Sequence, residues 1–267
     1  MSRKWFCVLA SVLVVALLAG AAFAAASTLE TVRKANKIVI GTGLGYYPFE
    51  MMDKEGNFVG YDMDLGRAIA DSLGVDVEFR PFEFAGLIPA VQIGEIDMII
   101  AGMTIRGDRA LAVSFSDPYY ATGQVLMVRR SDKETKSWKD LDKPGKKIAL
   151  SQGTTGALLA KVIFKDAQIL DFPSFPEASA ALVGGYADGI VYDEPAIRMY
   201  EAMHKDAVRG IYDFISKENL GIAVRHNDFA MVLWLNSFLH EYLGSPVELA
   251  SRAKWFESTE WMEEIKQ

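Results

Sequence analysis

The stretch Ala101-Gly102-Met103-Thr104-Ile105-Arg106-Gly107-Asp108-Arg109, followed by Phe115-Ser116-Asp117-Pro118-Tyr119-Tyr120, holds donors and acceptors at close spacing. A carbonyl at Gly102 can accept from an ammonium, and the Thr104 hydroxyl and amide can donate to a carboxylate. The Arg109 guanidinium can clamp that carboxylate with two parallel hydrogen bonds. Together these groups suit the backbone end of a free amino acid. The bland alternative for Arg109 is a surface ion pair with Asp108 or Asp117. Two further segments complement the loop. Asp193 follows the apolar run Gly189-Ile190-Val191-Tyr192, where a strand end opens onto the crevice of an α/β unit, and its carboxylate can meet an ammonium. Its alternative role is capping the helix expected from Pro195. Ser151-Gln152-Gly153-Thr154-Thr155-Gly156 follows a strand pattern and opens a helix pattern, a geometry whose free amides favour an anion. Thr155 is the expected backbone donor there, with Gln152 a secondary candidate.

These groups must be brought together by elements far apart in the chain. Lys37-Ile38-Val39-Ile40-Gly41 is a β-branched run ended by a Gly-rich turn. Strand patterns at 75–80 and 96–100 then alternate with helix patterns at 62–73, 87–93 and 108–113. Such alternation predicts mainly parallel sheets covered by helices. After Gln124-Val125-Leu126-Met127-Val128-Arg129 and a polar segment at 131–142, a second series begins. It has strands at 147–150, near Ile169 and at 189–192, with helices at 156–164 and 176–184. A strand at 220–224 and two amphipathic helices across 228–267 complete the pattern.

The order Thr-x-x-x-x-Arg and then Phe-Ser-x-Pro-Tyr strongly resembles the ligand loop of bacterial extracellular solute-binding proteins of the polar amino acid type. These are soluble receptors of ABC importers. Leu220-Gly221-Ile222-Ala223-Val224, Asn236 and Lys254-Trp255-Phe256 extend the resemblance over nearly all of the chain after its first residues. It implies a two-lobed periplasmic binding protein type II fold, each lobe a mainly parallel sheet with flanking helices. Lobe one would comprise residues 27–123 and 219–267, lobe two residues 124–218, and hinge strands would lie at 121–126 and 217–221. Gly102, Thr104 and Arg109 would bind ligand first, and Asp193 and the Thr155 amide would join on closure. Tyr46 and Phe84 align with the family's paired rings around the ligand, although composition alone would place them in a core. Asp62 and Asp64, in Tyr61-Asp62-Met63-Asp64, are read as helix caps. Gly43 stands where relatives that take cationic or amide side chains often carry an acid, and Ser151 where a glutamine-binding branch has lysine. Both departures, with Tyr192 nearby, imply a neutral amino acid as ligand, unless Glu50, Gln124 or Arg106 enters the pocket. A membrane permease is the implied partner of a monomeric receptor. The rival is an enzyme on the same scaffold, such as a cyclohexadienyl dehydratase-like lyase, with Glu50 or Glu194 as its only candidate acids.

The first residues carry the address. Arg3 and Lys4 precede an apolar run at 5–19 and a small-residue segment ending in Ala24-Ala25-Ala26, the pattern of a secretory signal spanning residues 1–26 and cleaved near Ala24 to Ser27. Cys7 lies inside the apolar run instead of at the cleavage point, which argues against a lipid anchor. Cleavage leaves 26 basic and 35 acidic residues, a net charge of −9, and no cysteine. Thiol chemistry is thereby excluded, and the acidic balance argues against nucleic acid or anionic membrane as partner. Gly41-Thr42-Gly43-Leu44-Gly45 lacks the Gly-x-Gly-x-x-Gly spacing of a dinucleotide loop, and Pro48 blocks an immediate helix. His204, His226 and His240 show no ligand spacing, so no metal or other cofactor is expected.

Overall fold

The computed structural model describes residues 27–265. The secretory signal expected over residues 1–26, with Cys7 in it, lies outside the described residues. The chain opens with α1 (Thr28–Ala35), capped by Ser27, and β1 (Lys37–Thr42). A small hairpin follows, β2 (Met51–Met52) and β3 (Phe58–Val59), and then α2 (Tyr61–Leu73) and β4 (Asp76–Pro81). Next come α3 (Leu87–Gln92), β5 (Met98–Ile99) and the long β6 (Val113–Thr122). The second series holds β7 (Gln124–Arg129), β8 (Lys147–Ser151), α4 (Thr155–Ile163), β9 (Gln168–Phe172) and α5 (Phe175–Val183). It continues with β10 (Gly189–Asp193), α6 (Glu194–Met203) and β11 (Val208–Ile211). β12 (Glu218–Arg225), α7 (Phe229–Tyr242) and α8 (Pro246–Arg252) close the order.

Two five-stranded sheets result, in the orders β4-β1-β5-β12-β6 and β11-β7-β10-β8-β9. Each is parallel at its heart: β1 runs parallel to β4 and β5, and β8 runs parallel to β9 and β10. The expectation of mainly parallel sheets is refined at the strands that cross between sheets. β12 is antiparallel to β5 and β6, and β7 to β10 and β11. The central strands β8 and β10 are buried nearly end to end, which is why they read as continuous apolar runs and not as alternating ones.

Both crossings lie side by side. β6 passes into β7 through Gly123 alone, and β12 starts with Glu218 opposite Thr122. A Cβ on residue 123 would overlap the Ser216 carbonyl, so only glycine lets the two crossing segments approach this closely. The Gln124 amide donates to Ser216 Oγ at 3.0 Å, and the Ile215 amide to the Gln124 carbonyl at 2.8 Å. The tail is fastened to the first sheet's side of the molecule. Asp64 Oδ2 accepts from Ser251 Oγ and from Trp255 Nε1, each at 2.7 Å, and Asn236 Oδ1 accepts from the Asp117 amide at 2.8 Å. Among the described residues no helix is long and apolar enough to cross a membrane.

Candidate functional site

A cavity of about 540 Å3 opens between the two sheets. The first side contributes Gly43, Tyr46, Glu50, Phe84, Gly102, Thr104 and Arg109; the second contributes Ser151, Thr155, Phe175, Tyr192 and Asp193. The structure therefore gathers onto one cavity residues that the chain separates by up to 150 positions. Gln152 is the exception and corrects the expectation for it: the residue is exposed, and its amide is spent on the Phe172 carbonyl at 2.9 Å. At this end of β8 the side chains alternate, so Ser151 turns inward and Gln152 outward.

Arg109 begins a single helical turn, Arg109–Leu111, capped by Asp108. The helix expected at 108–113 shrinks to this turn because β6 takes over at Val113. The Arg109 side chain is 8% exposed. Its Nη1 donates to the Thr104 carbonyl and its Nη2 to the Gly153 carbonyl, both at 2.9 Å, and the guanidinium carbon lies 5.3 Å from the Phe84 ring centre. Burial, with Arg106 nearby, lowers its pKa to about 10, so it stays charged near neutral pH. Asp108 does not neutralise it. That carboxylate is engaged with Arg106 at 2.9 and 3.0 Å, and Arg106 lies outside the cavity lining. The surface ion pair considered for Arg109 therefore belongs to Arg106.

The Gly102 loop is tied down from below. The Gly102 amide donates to Asp62 Oδ2 at 2.9 Å, and the Tyr119 hydroxyl reaches the same oxygen at 3.0 Å. Gly102 has φ +54°, and any Cβ there would overlap the Tyr46 ring, so a glycine is required. Asp62 is fully buried and Gly60, not an acid, begins α2, so neither Asp62 nor Asp64 caps that helix: one holds the Gly102 loop and the other holds the tail. Tyr46 stacks on Phe49 at 4.7 Å and meets Tyr192 edge-on at 5.8 Å across the cleft.

Asp193 ends β10 and is 6% exposed. Its side chain makes no capping bond to α6, and Oδ1 has no hydrogen-bond partner. Burial and then the negative charge of Glu218 push its pKa up to about 8, against the opposing pull of Gln124, Arg109 and Tyr46. Thr154, not Thr155, caps α4, accepting from the Ala157 amide at 3.2 Å. Thr155 is thereby released for other contacts: Gln124 Nε2 donates to its hydroxyl at 3.2 Å, and the hydroxyl donates to Glu218 Oε2 at 2.7 Å.

Glu50, named from the sequence only as a possible entrant, lines the cavity beside Gly43. It is 2% exposed and accepts from Thr42 Oγ1 at 2.5 Å. Burial, reinforced by Asp62, raises its pKa to about 8. Glu194 points elsewhere, paired with Arg198 at 2.5 Å and absent from the lining. Two residues escaped sequence reasoning. Phe175, stacked on Tyr192 at 4.2 Å, sits at a helix start that looked purely structural. Glu218 precedes an apolar strand and carries no local signal at all.

A "Probable histidine-binding protein" of Neisseria gonorrhoeae is 32% identical to this chain over 224 residues, covering 81% of this chain and 82% of that one. Among solved structures, an ancestral amino acid-binding protein, a precursor of cyclohexadienyl dehydratase, matches with a TM-score of 0.82 at 38% identity, covering 86% of this chain and 100% of the other. A putative binding component of an ABC transporter from Wolinella succinogenes, complexed with lysine, matches with a TM-score of 0.82 at 34% identity, over 86% and 99% of the two chains. Residues 38–258 match the family model of the bacterial extracellular solute-binding proteins, family 3, and the chain belongs to that family.

Proposed function

We propose that this protein is a periplasmic receptor that takes an L-amino acid into the cleft, closes on it and delivers it to the permease of an ABC importer. One observation carries the reading. Arg109 and Asp193 enter one cavity from opposite sheets, the first held only by neutral carbonyls and the second with an unpartnered oxygen. A zwitterion satisfies both at once: its carboxylate takes the remaining guanidinium donors and the Thr104 and Thr155 amides, and its ammonium takes Asp193 and the Gly102 carbonyl. Neither lobe alone offers both groups, Asp193 giving its proton up in the incoming ammonium's field, so closing adds contacts that the open form lacks, and a ligand shifts the open–closed balance by that difference. Shifting it from 1:99 to 99:1 takes about 5.5 kcal/mol, within reach of a few charge-assisted hydrogen bonds.

For the side chain, the favoured ligand is neutral. Besides Asp193 the wall carries Glu50 and the exposed Glu83; Glu50, the buried one beside Gly43, is kept largely protonated at pH 7 by its raised pKa, a donor and acceptor for a polar group. The same residue supports a second reading, in which a cationic side chain draws the proton off Glu50 and pairs with the carboxylate. The receptor reading is favoured over the enzyme alternative because Glu194 is committed to Arg198, and the cavity's other buried acid, Asp193, is placed opposite Arg109 to take the ammonium of a zwitterion. Thermal shifts of ligand-stripped protein against the twenty amino acids test all of this. Stabilisation of several degrees by one or two neutral amino acids is the expected result; ligand at 100 times its Kd stabilises by about 2.7 kcal/mol. A response confined to arginine, lysine or histidine selects the second reading. Silence throughout, with turnover of a cyclic carboxylic acid, overturns the receptor reading.

A further inference from the structure

We infer that Glu218 is a positioning residue that latches the two lobes together from the crossing strand. Its Oε2 accepts from Thr104 Oγ1, on the ligand loop of the first side, and from Thr155 Oγ1, at the start of α4 on the second, each at 2.7 Å. The two threonine hydroxyls lie 3.4 Å apart, so one carboxylate oxygen gathers both. The other oxygen, Oε1, accepts from Ser216 Oγ at 2.7 Å, and that hydroxyl in turn receives the Gln124 amide of the parallel crossing. The carboxylate is therefore anchored at the hinge and extended to one residue of each lobe. Bonds of this kind exist only while Thr104 and Thr155 face one another, which makes them specific to the closed form.

Two consequences follow from the same contacts. A hydroxyl has one proton to donate, and both threonines give theirs to Glu218. The ligand carboxylate is left with Arg109 and the backbone amides, so the hydroxyls act in closure and not in ligand contact. Thr104 and Thr155 also line two spaces: the ligand cavity on one face and, on the other, a groove bounded by Ile105, Leu158, Val162 and Lys217. The Thr104–Glu218–Thr155 bridge is the partition between them, closing the rear of the cleft to water. Because it needs no ligand, it holds a measurable share of ligand-free molecules closed.

The inference rests on the two-lobed receptor reading, yet its test uses no ligand, so the two can fail separately. Spin labels at Asp71→Cys and Lys165→Cys, exposed positions on opposite sides, report interlobe distance in the exported, ligand-stripped protein. With Glu218 present, the distance distribution should contain a short component. Glu218→Ala should lower the ratio of short to long distances by about tenfold or more, as loss of charge-assisted hydrogen bonds requires. Glu218→Gln keeps the side chain's size and should fall between the two; it carries the test if the alanine variant melts early. Adding Thr155→Val to Glu218→Ala should cost much less than Thr155→Val costs the parent, since both remove the Thr155–Glu218 bond and only the hydroxyl's contacts with Gln124 and Thr104 remain to be lost. A wholly open parent, an unchanged ratio in Glu218→Ala, or additive losses in the double variant would each overturn the latch.

Discussion

Of the buried ionisable side chains that line the cleft, Arg109 and Glu50 are treated in opposite ways by their surroundings. Arg109 receives two carbonyl oxygens and an aromatic face, all of which favour the cation, so burial leaves it charged at neutral pH. Glu50 receives one hydroxyl and the repulsion of Asp62, so burial leaves it largely protonated. In the proposed receptor the first is a fixed charge for the group that every amino acid shares. The second is a conditional charge, ionising only for a partner that repays the cost. A receptor gains affinity from the fixed charge and discrimination from the conditional one.

The deepest cut into that contrast is Arg109→Ala. It removes the carboxylate clamp from a desolvated site, a loss of about 3–5 kcal/mol, or a thousandfold in Kd. Calorimetry on the best amino acid checks it, and wild-type affinity would show that the clamp lies elsewhere. Arg109→Lys retains charge but not the planar fork, and should recover only part of the loss. Asp193→Asn comes next, at about 2–3 kcal/mol, because an amide cannot offer the ammonium a charge-assisted bond. Its signature is selective: amino acids weaken, while analogues lacking the amino group are little affected.

How much of this arrangement the sequence disclosed depends on how local each cause is. Central strands such as β8 and β10 are written as apolar runs, and helices α4 and α5 begin within a residue of their expected starts because Thr154 and Ser174 cap them from inside the segment. β6 was hidden. Ser114, Ser116, Asp117 and Pro118 look like a loop, but β6 is the edge of its sheet, where a proline costs no ladder bond, and Asn236 supplies a partner for the Asp117 amide from 119 residues away. The Arg109 loop is a contiguous motif and could be read, whereas Glu218 meets Thr104 and Thr155 across 114 and 63 residues. The carboxylates of Asp62 and Asp64 show the opposite error: a first-turn acid looks like a cap when only its helix is visible, and the Gly102 loop and the tail that claim them come from elsewhere in the fold.

A change of pH should move closure before it moves the fold. In the closed structure Asp193 and Glu50 both titrate at about 8, against ordinary values of 3.8 and 4.5 for carboxyls in open water. A raised carboxyl binds its proton more tightly in the closed form, so the closed form is favoured at low pH. Closing then becomes harder as pH rises through the ordinary value, and the penalty is complete above about 8. Ligand-free protein should compact as pH falls from 8 to 5, by up to about tenfold in the closed-to-open ratio per pH unit and per carboxyl. Small-angle scattering reads it. Asp193→Asn should flatten the curve, and Glu50→Gln should do so less, because Asp62, Thr42 and Gly43 surround Glu50 from its own side whereas Arg109 and Tyr46 reach Asp193 from across the cleft; a flat wild-type profile would mean that neither carboxyl is shut away on closing. On the proposed reading this penalty opposes the Glu218 bridge in an empty cleft at neutral pH, and an ammonium at Asp193 removes the share that Asp193 contributes.

The smallest expected effect separates the two roles most sharply. Glu50→Gln is close to isosteric and mimics the protonated acid, accepting from Thr42 as the carboxyl does. If the conditional charge stays neutral with its ligand bound, the substitution changes Kd by less than about 1 kcal/mol and leaves unaltered the pH dependence that Asp193, also raised to about 8, imposes on every ammonium. If the ligand carries a cation to Glu50, binding must release a proton. Affinity then rises with pH toward 8 more steeply than Asp193 alone makes it, and Glu50→Gln abolishes both that extra rise and a salt bridge in a dry site, a loss of several kcal/mol. Titrations in two buffers of different ionisation enthalpy count the protons released, and the difference between the parent and Glu50→Gln isolates the one from Glu50, because Asp193 gives up its own in both. Its presence or absence assigns Glu50 to discrimination by charge or by hydrogen bond, while Arg109, charged throughout the same range, provides the invariant reference.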